Sequence, residues 1–133
     1  MSFKYLKQMP TPEEVKRELP LPEKYQKLKK ERDAVISDII TGKDDRFLVI
    51  IGPCSADNED AVCDYVNRLT AVQEKVADRV YIVPRIYTNK PRTTGSGYKG
   101  IASQPDPTKA PDMVEGLIGM RKMHIRAIEE SGF

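Results

Sequence analysis

The sequence predicts an α/β protein in which two parallel strands alternate with helices. Two short apolar runs rich in β-branched residues, Phe47–Ile51 and Val80–Pro84, are typical of parallel strands buried on both faces. Each run is followed by a segment in which apolar residues recur at helical spacing, and this alternation is the pattern of a parallel α/β sheet. Two strands alone would leave both outer edges of the sheet with unpaired backbone groups. We therefore expect the chain to be part of a longer protein.

The composition is that of an ordinary soluble domain. The chain has 133 residues, 39% of them hydrophobic, and a net charge of +2. Such a weak charge does not favour nucleic acid or an anionic membrane as a partner. No apolar run approaches the ~20 residues that a membrane-spanning helix needs, and the first ten residues lack the apolar stretch of a signal peptide. We expect a cytoplasmic protein.

Two helices are predicted before the first strand. Thr11 is a suitable cap for the first of them, since Pro12 fits the first helical position and Glu14 completes a capping box. The second helix is expected from about Glu23 to Thr41, and Gly42 is a natural stop. Its apolar residues largely follow the helical period: Tyr25, Leu28, Val35, Ile36, Ile39 and Ile40.

Two further helices are predicted, one after each strand. The first runs from about Glu59 to Ala77, with Asp57 or Asn58 as its cap, and the second from about Pro111 to Ser131. The residues expected to face the core are Val62, Tyr65, Val66, Leu69, Val72 and Val76 in one helix, and Val114, Leu117, Ile118, Ile125 and Ile128 in the other. The order of elements is therefore helix, helix, then strand, helix, strand, loop and helix.

The residues that directly follow the two strands are candidates for chemistry. Cys54 follows the first strand and Arg85 follows the second. Because the carboxyl ends of parallel strands meet at one edge of a sheet, we expect these residues in neighbouring loops. Cys54 is either a small residue packed under a turn or a thiolate that binds a metal or acts as a nucleophile. One cysteine cannot hold a catalytic metal, which needs about three protein ligands.

The other cysteine and the single histidine are expected to have structural roles. Cys63 falls inside a predicted helix, and its spacing from Cys54 fits neither a disulfide framework nor a pair of zinc ligands. His124 lies in the last predicted helix among basic residues, which favours a surface or packing role.

The segment 88–110 is too long for a plain connection and is rich in glycine, proline and threonine, so it suggests a functional loop. Arginine binds carboxylate or phosphate with two parallel hydrogen bonds, whereas lysine acts as a mobile point charge. The segment and the residues just before it carry four such cations close together: Arg85, Lys90, Arg92 and Lys99. The pattern indicates binding of small polyanions, and the alternative is a solvated basic loop. It lacks the glycine–lysine–serine/threonine arrangement of a nucleotide-binding P-loop.

Four short motifs together resemble type I 3-deoxy-D-arabino-heptulosonate 7-phosphate synthases in order and spacing. They are Gly52-Pro53-Cys54-Ser55, Pro84-Arg85-Ile86-Tyr87, Lys90-Pro91-Arg92-Thr93-Thr94 and Gly97-Tyr98-Lys99-Gly100. The resemblance extends over most of the chain. It implies a (β/α)8 TIM barrel preceded by a helical extension, so that residues 1–45 form the extension, with a regulatory or oligomerisation role. The resemblance likewise implies that residues 46–133 form the first two β/α units of a truncated barrel.

The resemblance also implies an activity, namely the condensation of phosphoenolpyruvate with erythrose 4-phosphate, the first step of the shikimate pathway to aromatic amino acids. Cys54 matches the cysteine that binds a divalent metal such as Mn2+ or Fe2+. Arg85 and Lys90 match catalytic residues that hold phosphoenolpyruvate, chiefly its carboxylate. Arg92 and Thr93 match residues that bind the phosphate of erythrose 4-phosphate. The implied substrate-binding residues are thus Arg85, Lys90, Pro91, Arg92 and Thr93.

The resemblance has limits that shape the expected function. The family's remaining metal ligands, a histidine, a glutamate and an aspartate, come from later strands, so we expect this chain alone to be inactive. The family's extension takes part in subunit contacts and in feedback by an aromatic amino acid, so a homo-oligomer is expected. One alternative is a non-catalytic regulatory or assembly fragment. Another is a relative of 3-deoxy-octulosonate 8-phosphate synthase, although Pro91, where that enzyme has Ala-Asn, favours the heptulosonate enzyme.

Overall fold

The computed structural model describes Tyr5 and residues 7–133. Within that part, the elements are α1 (Pro12–Glu18), α2 (Glu23–Ile40), β1 (Phe47–Ile51), α3 (Glu59–Val76), β2 (Val80–Pro84) and α4 (Met113–Ser131). The predicted α/β class and the order of elements are confirmed. Both strands have the predicted bounds, and the helix ends differ from the predicted ones by at most two residues. The segment between β2 and α4 contains neither helix nor strand.

The helices α1, α3 and α4 each begin at a residue whose side chain accepts hydrogen bonds from the first turn, whereas α2 follows Pro22 without such a cap. At α1, the predicted capping box of Thr11 and Glu14 is present. Asn58, one of the two predicted candidates, caps α3 through a 2.9 Å hydrogen bond from Ala61 N. The helix α4 begins later than predicted because the carboxylate of Asp112 accepts from the first free N–H groups of the helix.

The two strands pair in parallel. The register aligns Phe47 with Val80 and Ile51 with Pro84. The ladder continues one residue further, where Arg85 N donates to Ile51 O at 2.8 Å. The two strands therefore end side by side, and the loops that follow them start at the same edge of the sheet.

The expectation that both strands are buried on both faces is wrong for β1. Phe47 is 72% exposed and Ile50 is 64% exposed, whereas Ile82 in β2 is buried. The cause is that α3 packs mainly on β2, whereas α2 makes only a few contacts with β1. The expectation of bare outer edges is wrong for part of β2, because the side-chain amide of Gln73 bonds to its outer edge.

The core lies between α3, α4 and the loops at the carboxyl ends of the strands. Its buried cluster consists of Ala56, Val62, Val66, Ile101 and Met123. On α4, the buried residues are Gly116, Met123 and Ala127, none of which belongs to the predicted stripe. Small side chains at Gly116 and Ala127 let the helix approach its neighbours closely. Residues of the predicted stripe instead line a cavity of about 710 Å³ between α4, the end of β2 and the first two helices.

Polar contacts hold α2 against the end of α4. The hydroxyl of Tyr25 donates to Glu129 O at 3.1 Å, and the guanidinium of Arg32 donates to Gly132 O at 2.6 Å. Within the described part of the chain, α2 has no fully buried residue, and Ile40, predicted to lie on its apolar face, is 71% exposed. The division of the chain after residue 45 stays a prediction. Across Tyr5 and residues 7–133, no helix is long and apolar enough to cross a membrane.

Candidate functional site

The loops that follow the two strands touch each other, as the sequence predicts. A Cβ atom on Gly52 would lie 1.8 Å from the carbonyl oxygen of Arg85, so only glycine fits where the two chain segments pass. The guanidinium of Arg85 donates to Pro53 O at 2.9 Å and lies 4.8 Å from the centre of the Tyr87 ring. Arg85 is therefore held at the loop that carries Cys54.

Cys54 and Lys90 are in direct contact although they are 36 positions apart in the sequence. The ammonium Nζ of Lys90 donates to Cys54 Sγ at 3.2 Å. Cys54 is exposed, so it is not packed under a turn, and its role as a metal-binding or nucleophilic thiolate stays a prediction. A thiol, an ammonium and a guanidinium thus meet at the carboxyl ends of the two strands.

Backbone hydrogen bonds hold Lys90 in place. Lys90 N donates to Lys99 O at 2.8 Å, and Ala102 N donates to Thr88 O at 3.0 Å. Gly100 makes this close pairing possible. Its φ is +97°, and a Cβ there would lie 2.4 Å from Thr88 O. The long basic segment is therefore a folded loop whose two arms are joined beside the site.

The tip of this loop carries the other predicted substrate-binding residues. Pro91, Arg92 and Thr93 are all exposed. Arg92 Nε donates to Tyr98 O at 2.8 Å, so its side chain is turned back onto its own loop. In the described residues, no hydrogen bond or ion pair joins Arg92 or Thr93 to Cys54 or Arg85. The predicted site is thus divided into a compact group at the strand ends and a separate group at the loop tip.

Two hydroxyl groups near the site have no role in the sequence analysis. Within the part of the chain that the structure describes, Ser55 Oγ and Tyr98 OH are buried without a hydrogen-bond partner. Burial raises the pKa of Tyr98, and the negative charge of Asp57 raises it further. Both residues lie in motifs noted above, yet only their burial distinguishes them, and no local sequence pattern encodes it.

The donors present do not form a complete metal site. Among Tyr5 and residues 7–133, no three histidine, cysteine, aspartate or glutamate side chains gather closely enough to hold a metal ion. Cys54, the predicted ligand, would be a single one, whereas a catalytic site needs about three.

The predicted structural role of Cys63 is confirmed. Its side chain is 1% exposed, and burial raises its pKa. His124 lies on the exposed side of α4, where Nδ1 is 2.7 Å from Met120 O within the same helix. This position agrees with the surface or packing role that the sequence suggests.

These observations define the class of protein: an α/β unit with a thiol and basic side chains at the ends of parallel strands. Residues 18–123 match the model of a family described as the DAHP synthetase I family. The chain therefore belongs to that family, as the resemblance implies.

Individual relatives agree with this result. A Saccharomyces cerevisiae protein named "Phospho-2-dehydro-3-deoxyheptonate aldolase, phenylalanine-inhibited" is 42% identical over 101 residues, or 76% of this chain and 27% of that protein. A phospho-2-dehydro-3-deoxyheptonate aldolase of Corynebacterium glutamicum is 36% identical over 122 residues, or 91% of this chain and 33% of that protein. The chain thus spans about a quarter to a third of the length of these relatives.

A solved structure has a similar fold. The phospho-2-dehydro-3-deoxyheptonate aldolase of Francisella tularensis SCHU S4 superposes with a TM-score of 0.84 at 27% sequence identity. The match covers 96% of this chain and 38% of that chain. The architecture described above is therefore shared with a part of that larger protein.

Proposed function

We propose that this chain supplies part of the active site of an enzyme that condenses phosphoenolpyruvate with erythrose 4-phosphate to form 3-deoxy-D-arabino-heptulosonate 7-phosphate. In this proposal, residues 46–133 are the first two units of a (β/α)8 barrel, and residues 1–45 are its helical extension. Membership of the family and the names of the relatives support the activity. The observation that carries the assignment of residues is the 3.2 Å contact between Lys90 and Cys54.

The compact group at the strand ends suits the first substrate. Phosphoenolpyruvate carries a carboxylate, and the guanidinium of Arg85 and the ammonium of Lys90 provide charged donors for it. Arg85 is already oriented by Pro53 O and by the ring of Tyr87. Little side-chain entropy would then be lost on binding, which is the general advantage of preorganised binding groups.

The group at the loop tip suits the second substrate. The guanidinium of Arg92 and the hydroxyl of Thr93 would bind the phosphate of erythrose 4-phosphate, and Pro91 would keep the chain between Lys90 and Arg92 rigid. Basic groups on both sides would let two anionic substrates, which repel each other in water, lie side by side. Arg92 would have to exchange its bond to Tyr98 O for the phosphate.

The proposed cofactor is a divalent metal such as Mn2+ or Fe2+, with Cys54 as the ligand from this chain. Since the donors here do not complete a site, the remaining ligands would come from polypeptide outside this sequence. For the same reason we propose that the 133-residue chain alone forms no product. Metal-dependent product formation by the purified chain would contradict this.

Regulation and assembly are proposed for the complete protein. Relatives named "phenylalanine-inhibited" and "Tyr-sensitive" suggest feedback by an aromatic amino acid. A homo-oligomer located in the cytoplasm, without nucleic-acid or membrane partners, fits the proposed biosynthetic role. The names of these relatives also favour the heptulosonate enzyme over 3-deoxy-octulosonate 8-phosphate synthase.

The substrate assignment is tested on the chain itself by titrating phosphoenolpyruvate into 15N-labelled protein. We expect weak binding, with shifts in the amides near Arg85 and Lys90. The Lys90→Met variant should bind at least about threefold more weakly, since it loses a charged hydrogen-bond donor. Lys109→Met, which changes the same residue type at the far end of the loop beside Asp106, is the matched control and should bind normally. Equal binding by both variants would contradict the role of Lys90.

A second candidate function is that of a non-catalytic regulatory or assembly fragment. The observation that favours it is the apolar surface of β1, where the side chains of Phe47 and Ile50 are exposed. A polypeptide that carries the later strands would provide that cover. Co-purification with such a polypeptide would support this function, whereas a stable, clean monomer in the native source would count against it.

A further inference from the structure

The pairing with β1 shows which backbone groups of β2 point to its outer edge, on the side away from β1. In a parallel ladder, alternate residues point their N–H and C=O groups towards the same neighbour. Arg85 N bonds to Ile51 O, and Arg79 O accepts from Phe47 N. The odd-numbered residues of β2 therefore face β1, whereas Val80 and Ile82 face the outer edge.

The side chain of Gln73, near the end of α3, occupies this outer edge. Its Nε2 donates to Val80 O at 2.8 Å, and its Oε1 accepts from Ile82 N at 2.6 Å. One residue of an added parallel strand would make the same two bonds, donating to Val80 O and accepting from Ile82 N. The amide of Gln73 thus takes the place of the backbone N–H and C=O of one residue of a third strand.

The next outward-facing residue of β2 cannot donate a hydrogen bond to an added strand. Pro84 faces the same edge and has no N–H group, and proline is one of the residues that protect sheet edges in natural proteins. On the outer edge of β1, no side chain of the described residues bonds to the backbone of Leu48 or Ile50. The two edges of the sheet are therefore different, because only the edge of β2 is covered by a side chain.

We propose that Gln73 guards the outer edge of β2 and holds the position that a third parallel strand would take. While Gln73 is bound, no strand can pair with Val80 and Ile82, so the chain is protected from edge-to-edge association there. A third strand adds only after the Gln73 side chain swings away. The inference does not depend on the proposed activity, but in the proposed barrel this is the edge where the next strand would lie.

The decisive variant is Gln73→Met, which keeps the length of the side chain and removes both hydrogen bonds. Amide hydrogen exchange of the 133-residue chain, followed by NMR, should show Ile82 exchanging at least about tenfold faster than in the unchanged chain. The amides of Tyr81 and Val83, which face β1, should keep their rates. Sedimentation velocity should then show concentration-dependent dimers of the variant, with a second copy of the chain as the probe for strand addition.

Gln104→Met is the matched control, because the side chain of Gln104 also makes two hydrogen bonds to backbone groups but lies in the loop away from the sheet edge. It should neither change the exchange of Ile82 nor cause dimers, which separates a loss of edge protection from a general loss of stability. Unchanged exchange of Ile82 in Gln73→Met would overturn the inference. Faster exchange without association would overturn the guarding role, since the edge would then be free of the Gln73 side chain and would still not pair with a second copy of the chain.

Discussion

Replacing Gly116 with alanine is expected to separate α4 from the loop that carries Lys90. Gly116 is buried at the start of α4, where a Cβ would lie 2.2 Å from Ala102 O and 2.6 Å from Ile101 O. Both contacts are with backbone, which cannot rotate away as a flexible side chain does. Ala102 N in turn bonds to Thr88 O, two residues before Lys90. A shift at Gly116 is therefore passed to the arm of the loop that leads to the site.

The expected change in the free energy of unfolding follows from two opposing effects. Alanine in a helix interior is favoured over glycine by about 1 kcal/mol. Forcing an extra methyl group into a closed contact costs about 1–3 kcal/mol, and three overlapping backbone atoms suggest the upper end of that range. Gly116→Ala should therefore lower the free energy of unfolding by about 2 kcal/mol.

Gly119, three residues further along the same helix, is the matched control. The nearest side-chain or backbone atom to a Cβ there is Ile101 Cδ1, at 4.0 Å, which is an ordinary contact. Gly119→Ala should therefore raise the free energy of unfolding by up to about 1 kcal/mol. The two variants should differ by about 3 kcal/mol, or about 1.5 M in the urea midpoint at an m-value of about 2 kcal/mol/M.

The assay is urea unfolding followed by circular dichroism at 222 nm, together with the amide spectrum of the folded variants. Gly116→Ala should move the amide resonances of Thr88 and Lys90, whereas Gly119→Ala should leave them in place. If Gly116→Ala is as stable as the unchanged chain and the loop resonances do not move, the close approach of α4 to residues 101–102 does not exist in solution, and the reasoning fails.

Three further predictions concern thiol reactivity, acid stability and the extension. Ellman's reagent should modify exposed Cys54 rapidly and buried Cys63 slowly, since burial also raises the pKa of the latter; two fast thiols would contradict the structure. Hydrogen bonds from the side chain and backbone of Thr108 lower the pKa of Asp106 to about 2. Because this folded-state pKa is depressed, the stabilisation is present above the ordinary carboxyl pKa and is lost as the pH falls through about 2, which an NMR titration of the carboxyl carbon would check. Tyr25→Phe should lower the free energy of unfolding by about 1 kcal/mol in urea, because one hydrogen bond to α4 is lost; no change would mean that the contact is absent.

The elements that the sequence predicts well are those with a strong local pattern. The runs Phe47–Ile51 and Val80–Pro84 are uninterrupted and β-branched, and both strands have the predicted bounds. The packing face of α4 was mispredicted because a search for large apolar residues passes over Gly116 and Ala127. Those residues are buried because they are small. That property depends on the neighbouring backbone and not on the helical period.

The candidate site shows the same division between local pattern and tertiary contact. The parallel arrangement predicts that Cys54 and Arg85 lie in neighbouring loops, and the structure places the side chain of Arg85 at Pro53 O. The contact of Lys90 with Cys54 depends on how the loop folds back through Lys99 and Gly100, which no periodicity predicts. The role of Gln73 likewise became visible only when its partners on β2 were known.

The structural contrast between the two halves of the site bears on how a complete enzyme would be assembled. Arg85 and Lys90 are held by contacts made within this chain, so their positions do not need the further strands of the proposed barrel. Arg92 and Thr93 lie at an exposed tip, and the side chain of Arg92 bonds to Tyr98 O of its own loop. A partner element or a bound phosphate would have to reposition the loop tip. The group at the strand ends would only need to be completed by further residues. Under the proposed function, substrate order should reflect this difference: the group that is already formed would bind phosphoenolpyruvate first, and the loop tip would close on the second anion afterwards.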